Sequence, residues 1–261
     1  MNFCEIEYRE LTHNWNMTQL QSHDYYEIYC LLEGERRIFL GDKIFTLQKK
    51  TLVVIPPFCM HKTEGGPYKR MNIYISPNLL DTDEKATLDA CSKMIAFRLN
   101  DNQDLIFALL KSVSLNQKKA VKTKYELSLI KTFLYFLSVS KIQSVPQVFS
   151  PVTIQKDDVL VTELTAYINE HYSEKLTLNS LAKLFYISKN SLSRRFFNVM
   201  NISVMEYCNI VRFNAAKNLL LTTKKSVMEI SELCGFSSAN YFSLIFKKQI
   251  GLSPLNYRKK R

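Results

Sequence analysis

Apolar and polar positions alternate along the first 80 or so residues, in short runs broken by turn residues. Examples are EIYCLLEG (27–34), RRIFLGDKIFTL (36–47) and TLVVIPP (51–57). A period of two belongs to strands, and the Gly41-Asp42 pair between Ile38-Phe39-Leu40 and Ile44-Phe45 reads as a tight hairpin turn. Strands at this spacing predict an antiparallel barrel or sandwich. Near Thr82 the period changes. Residues 83–99, 102–115 and 122–142 carry apolar positions three and four apart, the spacing of a helix face. In the last of these Leu127, Ile130, Leu134 and Leu137 form the stripe, and Phe133 and Phe136 widen it. So apolar a face must be covered, either by the barrel or by a second copy of the chain. The dimer reading puts Leu134 and Leu137 between copies. QSVPQVFSPVTIQKD (143–157) then breaks all periodicity with two prolines, which marks a linker. The expected boundaries are 1–142, a linker at 143–156, and 157–261.

The second half is helical and repeats itself. LTLNSLAKLFYISKNSLSRRFF (176–197) is similar to SVMEISELCGFSSANYFSLIFK (226–247). Leu181-Ala182 matches Ile230-Ser231, Leu184 matches Leu233, and Leu192-Ser193 with Phe196 matches Phe242-Ser243 with Phe246. Each unit reads as a helix–turn–helix. The first helix packs through Leu181 and Leu184, or Ile230 and Leu233, and Gly235 supplies the positive φ of the second turn. The second helices start at Ser188 and at Ser237 or Ser238, good N-cap residues. Leu192 and Phe196 face inward, so Lys189, Asn190, Ser193 and Arg194 face outward, where Arg suits guanine and Asn suits adenine in a major groove. Ala239, Asn240, Ser243 and Leu244 hold the corresponding places in the second unit. Between the units, 203–221 reads as one helix of roughly 28 Å. That length is of the order of the ~34 Å between successive major grooves on one side of a duplex.

Charge sharpens this picture. The chain carries +11 overall, with 15 Lys and Arg against 8 Asp and Glu from Asp157 onward, and 13 against 3 from Tyr186 onward. Lys247, Lys248 and the Arg258–Arg261 tail are candidates for phosphate, around a small core of Phe236, Tyr241, Phe242 and Phe246. Cys4, Cys30, Cys59, Cys91, Cys208 and Cys234 have the spacing of neither a disulfide framework nor a zinc site, and are expected to be reduced and mostly buried. The N-terminus is charged, and the longest apolar stretch, Leu129–Val139, contains Lys131 and is too short for a bilayer. A cytoplasmic protein with no membrane partner is expected.

GFSSANYFSLIFKKQIGLSPLNYRKKR (235–261) and YINEHYSEKLTLNSLAKLFYISKNSLSRRFFNVM (167–200) resemble the two helix–turn–helix units of AraC/XylS-type transcription regulators, over about residues 158–258. LQSHDYYEIYCLLEGE (20–35) and VVIPPFCMHK (53–62) resemble, less specifically, the cupin-like sensor barrel of that family. The implied fold is an α+β multidomain chain, a cupin-like β-barrel with helices followed by an all-α DNA-binding domain. The resemblance implies promoter DNA, RNA polymerase, a small-molecule effector and a second copy of the chain as partners, activation of transcription, no enzymatic activity and no cofactor. Two positions depart from the pattern. Leu244 stands where the family often has Arg, which leaves the second unit to phosphate and shape. Arg195 replaces a usually apolar residue and adds a candidate phosphate contact. His23, Glu27 and His61 correspond to metal-ligand positions of cupins, but Gln21 stands for the usual first histidine. The three are therefore expected to line an effector pocket, although two imidazoles and a carboxylate also suit a metal. The contrary readings are a metal-dependent cupin enzyme fused to a DNA module, and an adaptor without DNA affinity, for which Leu244 is the hint. His13 has no counterpart to act with, and His171 suits the C-terminus of a helix.

Overall fold

In a computed structural model of the chain, residues 3–94, 96–98, 103–115, 119–139, 143–144 and 156–259 are described. They fall into two compact units, a sheet unit and a helical unit that takes the chain from the helix at Lys156 onward together with Thr18–Ser22 and Gly41–Lys43.

The sheet unit opens with strands β1 (Cys4–Leu11), β2 (Tyr26–Leu40), β3 (Lys43–Gln48), β4 (Thr51–Ile55), β5 (His61–Glu64) and β6 (Tyr68–Ile75). Two-residue strands β7 (Phe97–Arg98) and β8 (Gln143–Ser144) extend the edge, giving the order β1-β6-β2-β4-β7-β8, with β3 and β5 also on β2. Long β2 is the spine. Its first half pairs antiparallel with β4 and β6, its second half with β5, and its register shifts between Leu31 and Glu33. Gly34 follows the shift at φ +91°, and a Cβ there would run into the Pro67 carbonyl oxygen, so only glycine fits. The expected Gly41-Asp42 turn joins β2 to β3.

Strict alternation gives this sheet two different faces. Ile28, Cys30, Leu52, Val54, Met71, Ile73 and Ile75 share one core with helices α1 (Thr82–Ser92), α2 (Gln103–Ser114) and α3 (Lys119–Val139). Tyr29, Leu31, Val53, Ile55 and Tyr68 belong to a second core with Ile38 and Leu47. The helix α1 is held at its start by a reciprocal capping box between Asp81 and Glu84. The expectation that Leu134 and Leu137 join two copies is corrected here. Both are 1% exposed and pack with Ile130 and Phe133 on the sheet, whose apolar face needs that cover. Among the described residues, the large apolar side chains that α3 leaves exposed are Tyr125, Tyr135 and Val139. Most of the expected linker, residues 145–155, lies outside the described residues, as do Lys260 and Arg261.

The helical unit contains α4 (Lys156–His171), α5 (Leu178–Leu184), α6 (Lys189–Met200), α7 (Val204–Thr222), α8 (Val227–Leu233), α9 (Ala239–Ile250) and α10 (Pro254–Arg258). The repeat is visible in the lengths, since α5 and α8 both have 7 residues and α6 and α9 both have 12. Serine or threonine hydroxyls cap each of these starts: Thr177, Ser188, Ser226 and Ser238. The single helix expected between the units is α7, capped by Ser203. Two details of the packing differ from expectation. Leu184 and Leu233 are 47% and 46% exposed, because on so short a helix the position beside the first anchor turns inward instead, and Ala182 and Ser231 are buried. Tyr241 is likewise exposed, while Phe242 and Phe246 pack with Phe213 and Tyr257 at ring separations of 5.3–6.3 Å. Five of the six cysteines are buried and all six are free thiols.

Candidate nucleic-acid interface and effector site

Each second helix of the repeat is oriented by buried anchors four residues apart. In α6 these are Leu192, Phe196 and Met200, and in α9 Phe242 and Phe246. The opposite faces are left to water. Lys189, Asn190 and Arg194 are exposed on α6, with Ser193 partly covered. Asn240, Lys247 and Lys248 are exposed on α9, with Ala239 and Ser243 partly covered. Among the described residues, Lys189, Arg194, Lys247 and Lys248 have no ion-pair partner, so all four cations are free to meet an anionic ligand. Leu244 stands 70% exposed in the middle of the α9 face, where its side chain offers no hydrogen bond.

Two cations that the sequence reading gave to phosphate are engaged elsewhere. Arg195 Nε donates to Asp157 Oδ1 at 2.5 Å, which ties α6 to the start of α4. Arg258 donates to the carbonyl oxygens of Leu220 and Lys225 and so satisfies the carbonyl end of α7. Arg212, which the sequence did not single out, acts similarly: its guanidinium donates to the carbonyls of Tyr172 (2.7 Å) and Glu174 (2.8 Å). Nothing in local spacing reveals these three roles, because each partner lies 33 to 40 residues away.

In the sheet unit His23, Glu27 and His61 do come together. The His23 Nδ1–H donates to the Tyr25 carbonyl at 2.9 Å, and the His61 Nδ1–H to the Cys59 carbonyl at 3.2 Å, since a carbonyl can only accept. Both Nε2 atoms face Glu27 Oε2, at 3.0 and 3.5 Å, and each donates to it only when its ring carries a second proton. The other Glu27 oxygen accepts from Asn72 Nδ2 at 2.5 Å, and Asn72 also donates to the Tyr74 hydroxyl. Burial alone would favour a neutral Glu27 carboxyl, but the histidines and Arg70 outweigh it and hold the group below its ordinary range. Burial pushes His61 down, toward the neutral imidazole. Three ligand atoms within 4.8 Å of one another, two imidazole nitrogens and a carboxylate oxygen, are a donor set able to hold a divalent transition metal or the polar end of an organic molecule.

The same sheet face holds further polar residues that belong to no motif in the sequence. Tyr68, Arg70, Asn72 and Tyr74 alternate along β6 with Met71, Ile73 and Ile75 of the helix-facing core. The period-two run of polar residues was the available signal. With them sits Arg36 of β2, fully buried, its guanidinium over the Tyr68 ring at 4.6 Å and the Trp15 ring at 5.8 Å.

Comparison with known proteins agrees with this division. Residues 3–92 match the model of the AraC-like ligand binding domain, and residues 181–260 match that of a helix-turn-helix domain. The chain is 29% identical over 264 residues to the uncharacterized HTH-type transcriptional regulator YfiF of Bacillus subtilis, covering 95% of this chain and 81% of that one. It is 29% identical over 108 residues to the HTH-type transcriptional activator RhaS of an Enterobacter species, covering 41% of this chain and 39% of RhaS. Among solved structures, the C-terminal domain of AraT, a response regulator from Geobacillus stearothermophilus, is 37% identical over 38% of this chain and 83% of that chain, with a TM-score of 0.37. Apart from YfiF, the curated relatives reported are matched over less than half of their length. Among the described residues, no helix is long and apolar enough to cross a membrane.

Proposed function

The chain belongs to the AraC family of DNA-binding transcription regulators with an N-terminal ligand-binding domain, and from that premise we propose that it activates transcription from cytoplasmic promoter DNA by reading bases with α6 and phosphates with α9. One observation carries this reading: two helices of equal length, each locked by buried anchors, present unpaired cations and amides on their open faces. Arg194 and Asn190 are the base readers, because a guanidinium fork and a carboxamide match guanine and adenine edges. Ser193, Ala239, Asn240 and Ser243 make closer, weaker contacts, and Lys189, Lys247 and Lys248 neutralise phosphates. Leu244 meets thymine methyls or the sugar edge, which makes the second unit the less selective of the two.

In this reading the sheet unit binds a small effector through His23, Glu27 and His61, a second copy of the chain joins it to form a dimer, and RNA polymerase is contacted at the promoter. No reaction is assigned to the cluster, whose Glu27 is held on both oxygens by its neighbours. Binding of full-length protein to duplexes from its own upstream region, measured with and without Arg194→Ala, tests the proposal. Selective binding lost in the variant supports it, and equal affinity for any duplex refutes it.

A further inference from the structure

Arg36 is fully buried, yet no carboxylate pairs with it among the described residues. A guanidinium out of water needs compensation, since a buried unpaired charge is costly. Neighbouring groups supply part of it. The rings of Tyr68 and Trp15 are in cation–π contact with it, and Nη1 donates to the Gly66 carbonyl at 3.2 Å. What remains is the in-plane edge formed by Nε and Nη2, where neither atom makes a well-formed hydrogen bond and the Tyr29 hydroxyl is the polar group beside the guanidinium. That edge is the fork that takes both oxygens of a planar anion side-on.

The groups around it are orphaned too. The buried Tyr68 hydroxyl and Nε of Arg70 lack partners, the Tyr29 hydroxyl has only the Arg36 guanidinium beside it, and Asn72 Oδ1 on the same face is an unmet acceptor. Tyr29 feels the charges of both Arg36 and Arg70, so these groups share one region of the sheet's polar face, and the Arg70 guanidinium lies 5.7 Å from the Tyr29 ring. All of these atoms except Asn72 Oδ1 can donate, and the guanidinium ones can only donate. Convergent unmet donors around a buried cation describe a site whose occupant is acceptor-rich and negative. An internal carboxylate would have met this need, but Glu27 is turned to His23 and Asn72, and Glu7 accepts from the terminal nitrogen of Arg70 at 3.1 Å.

The geometry points to a carboxylate as the chemical class of the effector, with its two oxygens on Nε and Nη2 of Arg36 and the hydroxyls of Tyr29 and Tyr68 completing the shell. This rests on the reading of the sheet unit as an effector domain and adds to it the charged end of the ligand. Planarity favours a carboxylate over tetrahedral phosphate, because the Tyr68 and Trp15 rings that contact the guanidinium confine the anion to its edge.

The chain supplies its own reporter, since Trp15 is its single tryptophan and lies against Arg36. Full-length protein is titrated with acetate, hexanoate, inorganic phosphate, hexanamide and glucose at constant ionic strength, following Trp15 emission. Carboxylates are expected to give a saturable change that hexanamide, glucose and phosphate do not. Arg36→Met, checked for folding by far-UV circular dichroism, is expected to weaken hexanoate at least about tenfold through loss of the bidentate contact. Arg9→Met, which removes the other cation near Trp15, is expected to leave it unchanged. Should Arg36→Met fail to fold, Tyr68→Phe takes its place and is expected to weaken hexanoate about threefold or more. No saturable response to either carboxylate, an equal response to hexanamide, or undiminished binding in the folded variants would overturn the assignment. A response to phosphate alone would overturn it in favour of a tetrahedral anion. A saturable response to glucose alone would overturn it while leaving the effector domain standing.

Discussion

The turn inside each helix–turn–helix unit offers a matched pair of substitutions. Gly235 sits at φ +72°, and the corresponding Tyr186 at φ +55°. Both turns are closed alike: the Gly235 N–H donates to the Glu232 carbonyl and the Tyr186 N–H to that of Lys183, while the next N–H reaches Ser231 in one unit and Ala182 in the other. Their surroundings differ. A Cβ on Gly235 would lie 2.6 Å from the Ser173 carbonyl oxygen and 2.9 Å from its carbon, whereas Tyr186 is 95% exposed. For Gly235→Ala, left-handed strain costs about 1–2 kcal/mol and is offset by about 0.4–1 kcal/mol from a less flexible unfolded chain. The backbone shift that relieves the Ser173 clash adds about 1–3 kcal/mol, so the net loss is about 1–5 kcal/mol. Tyr186→Gly removes about 1–2 kcal/mol of strain and adds about 0.5–1 kcal/mol of unfolded freedom, which leaves it neutral to slightly stabilising. Urea unfolding followed by far-UV circular dichroism reads the helices of both units, and Trp15 fluorescence, which reads the sheet unit, separates its transition from that of the helical unit. The reasoning is refuted if Gly235→Ala unfolds at the wild-type midpoint, or if Tyr186→Gly destabilises by more than about 1 kcal/mol.

Three further outcomes follow from the same structure. Arg194→Ala is expected to cost about 1–3 kcal/mol on the preferred duplex and relax choice at one base pair, while Lys247→Ala weakens specific and scrambled duplexes alike and lowers the salt slope by roughly one unit. Binding isotherms across a salt series separate them, and equal weakening of both duplexes by Arg194→Ala would remove its base-reading role. Arg195→Ala is expected to leave that salt slope unchanged and to lower stability by about 1 kcal/mol or less, non-additively with Asp157→Ala, because the pair is only partly buried; a reduced slope would return Arg195 to the phosphate set. Leu134→Glu is expected to unfold the sheet unit by inserting a charge into its core, at a cost of several kcal/mol; a folded, soluble monomer by size-exclusion and circular dichroism would reinstate the face as a dimer contact.

How far the sequence carried this account depends on the range of the signal. The helix–turn–helix repeat, its capping serines and its inward anchors at spacing four are local patterns, and the structure contains all of them. The period-two runs likewise announced the strands. Longer-range effects were hidden. The stripe on α3 said only that Leu134 and Leu137 needed cover, and the sheet supplies it. Arg195 and Arg258 looked like free cations because their acceptors are 33 to 38 residues distant. The histidine–glutamate cluster was legible from its residue types. Arg36 was not, since a single basic residue in a strand reads as surface until its burial is known.

The central claim is that α6 reads sequence and α9 mainly grips the backbone. Selection of bound duplexes from a random pool by the full-length protein tests it most directly. Two elements about one helical turn apart are expected to be enriched, one sharply defined and the other loose, with the sharp one losing a single position in Arg194→Ala. Enrichment of no sequence, or a motif that survives Arg194→Ala intact, would contradict the account.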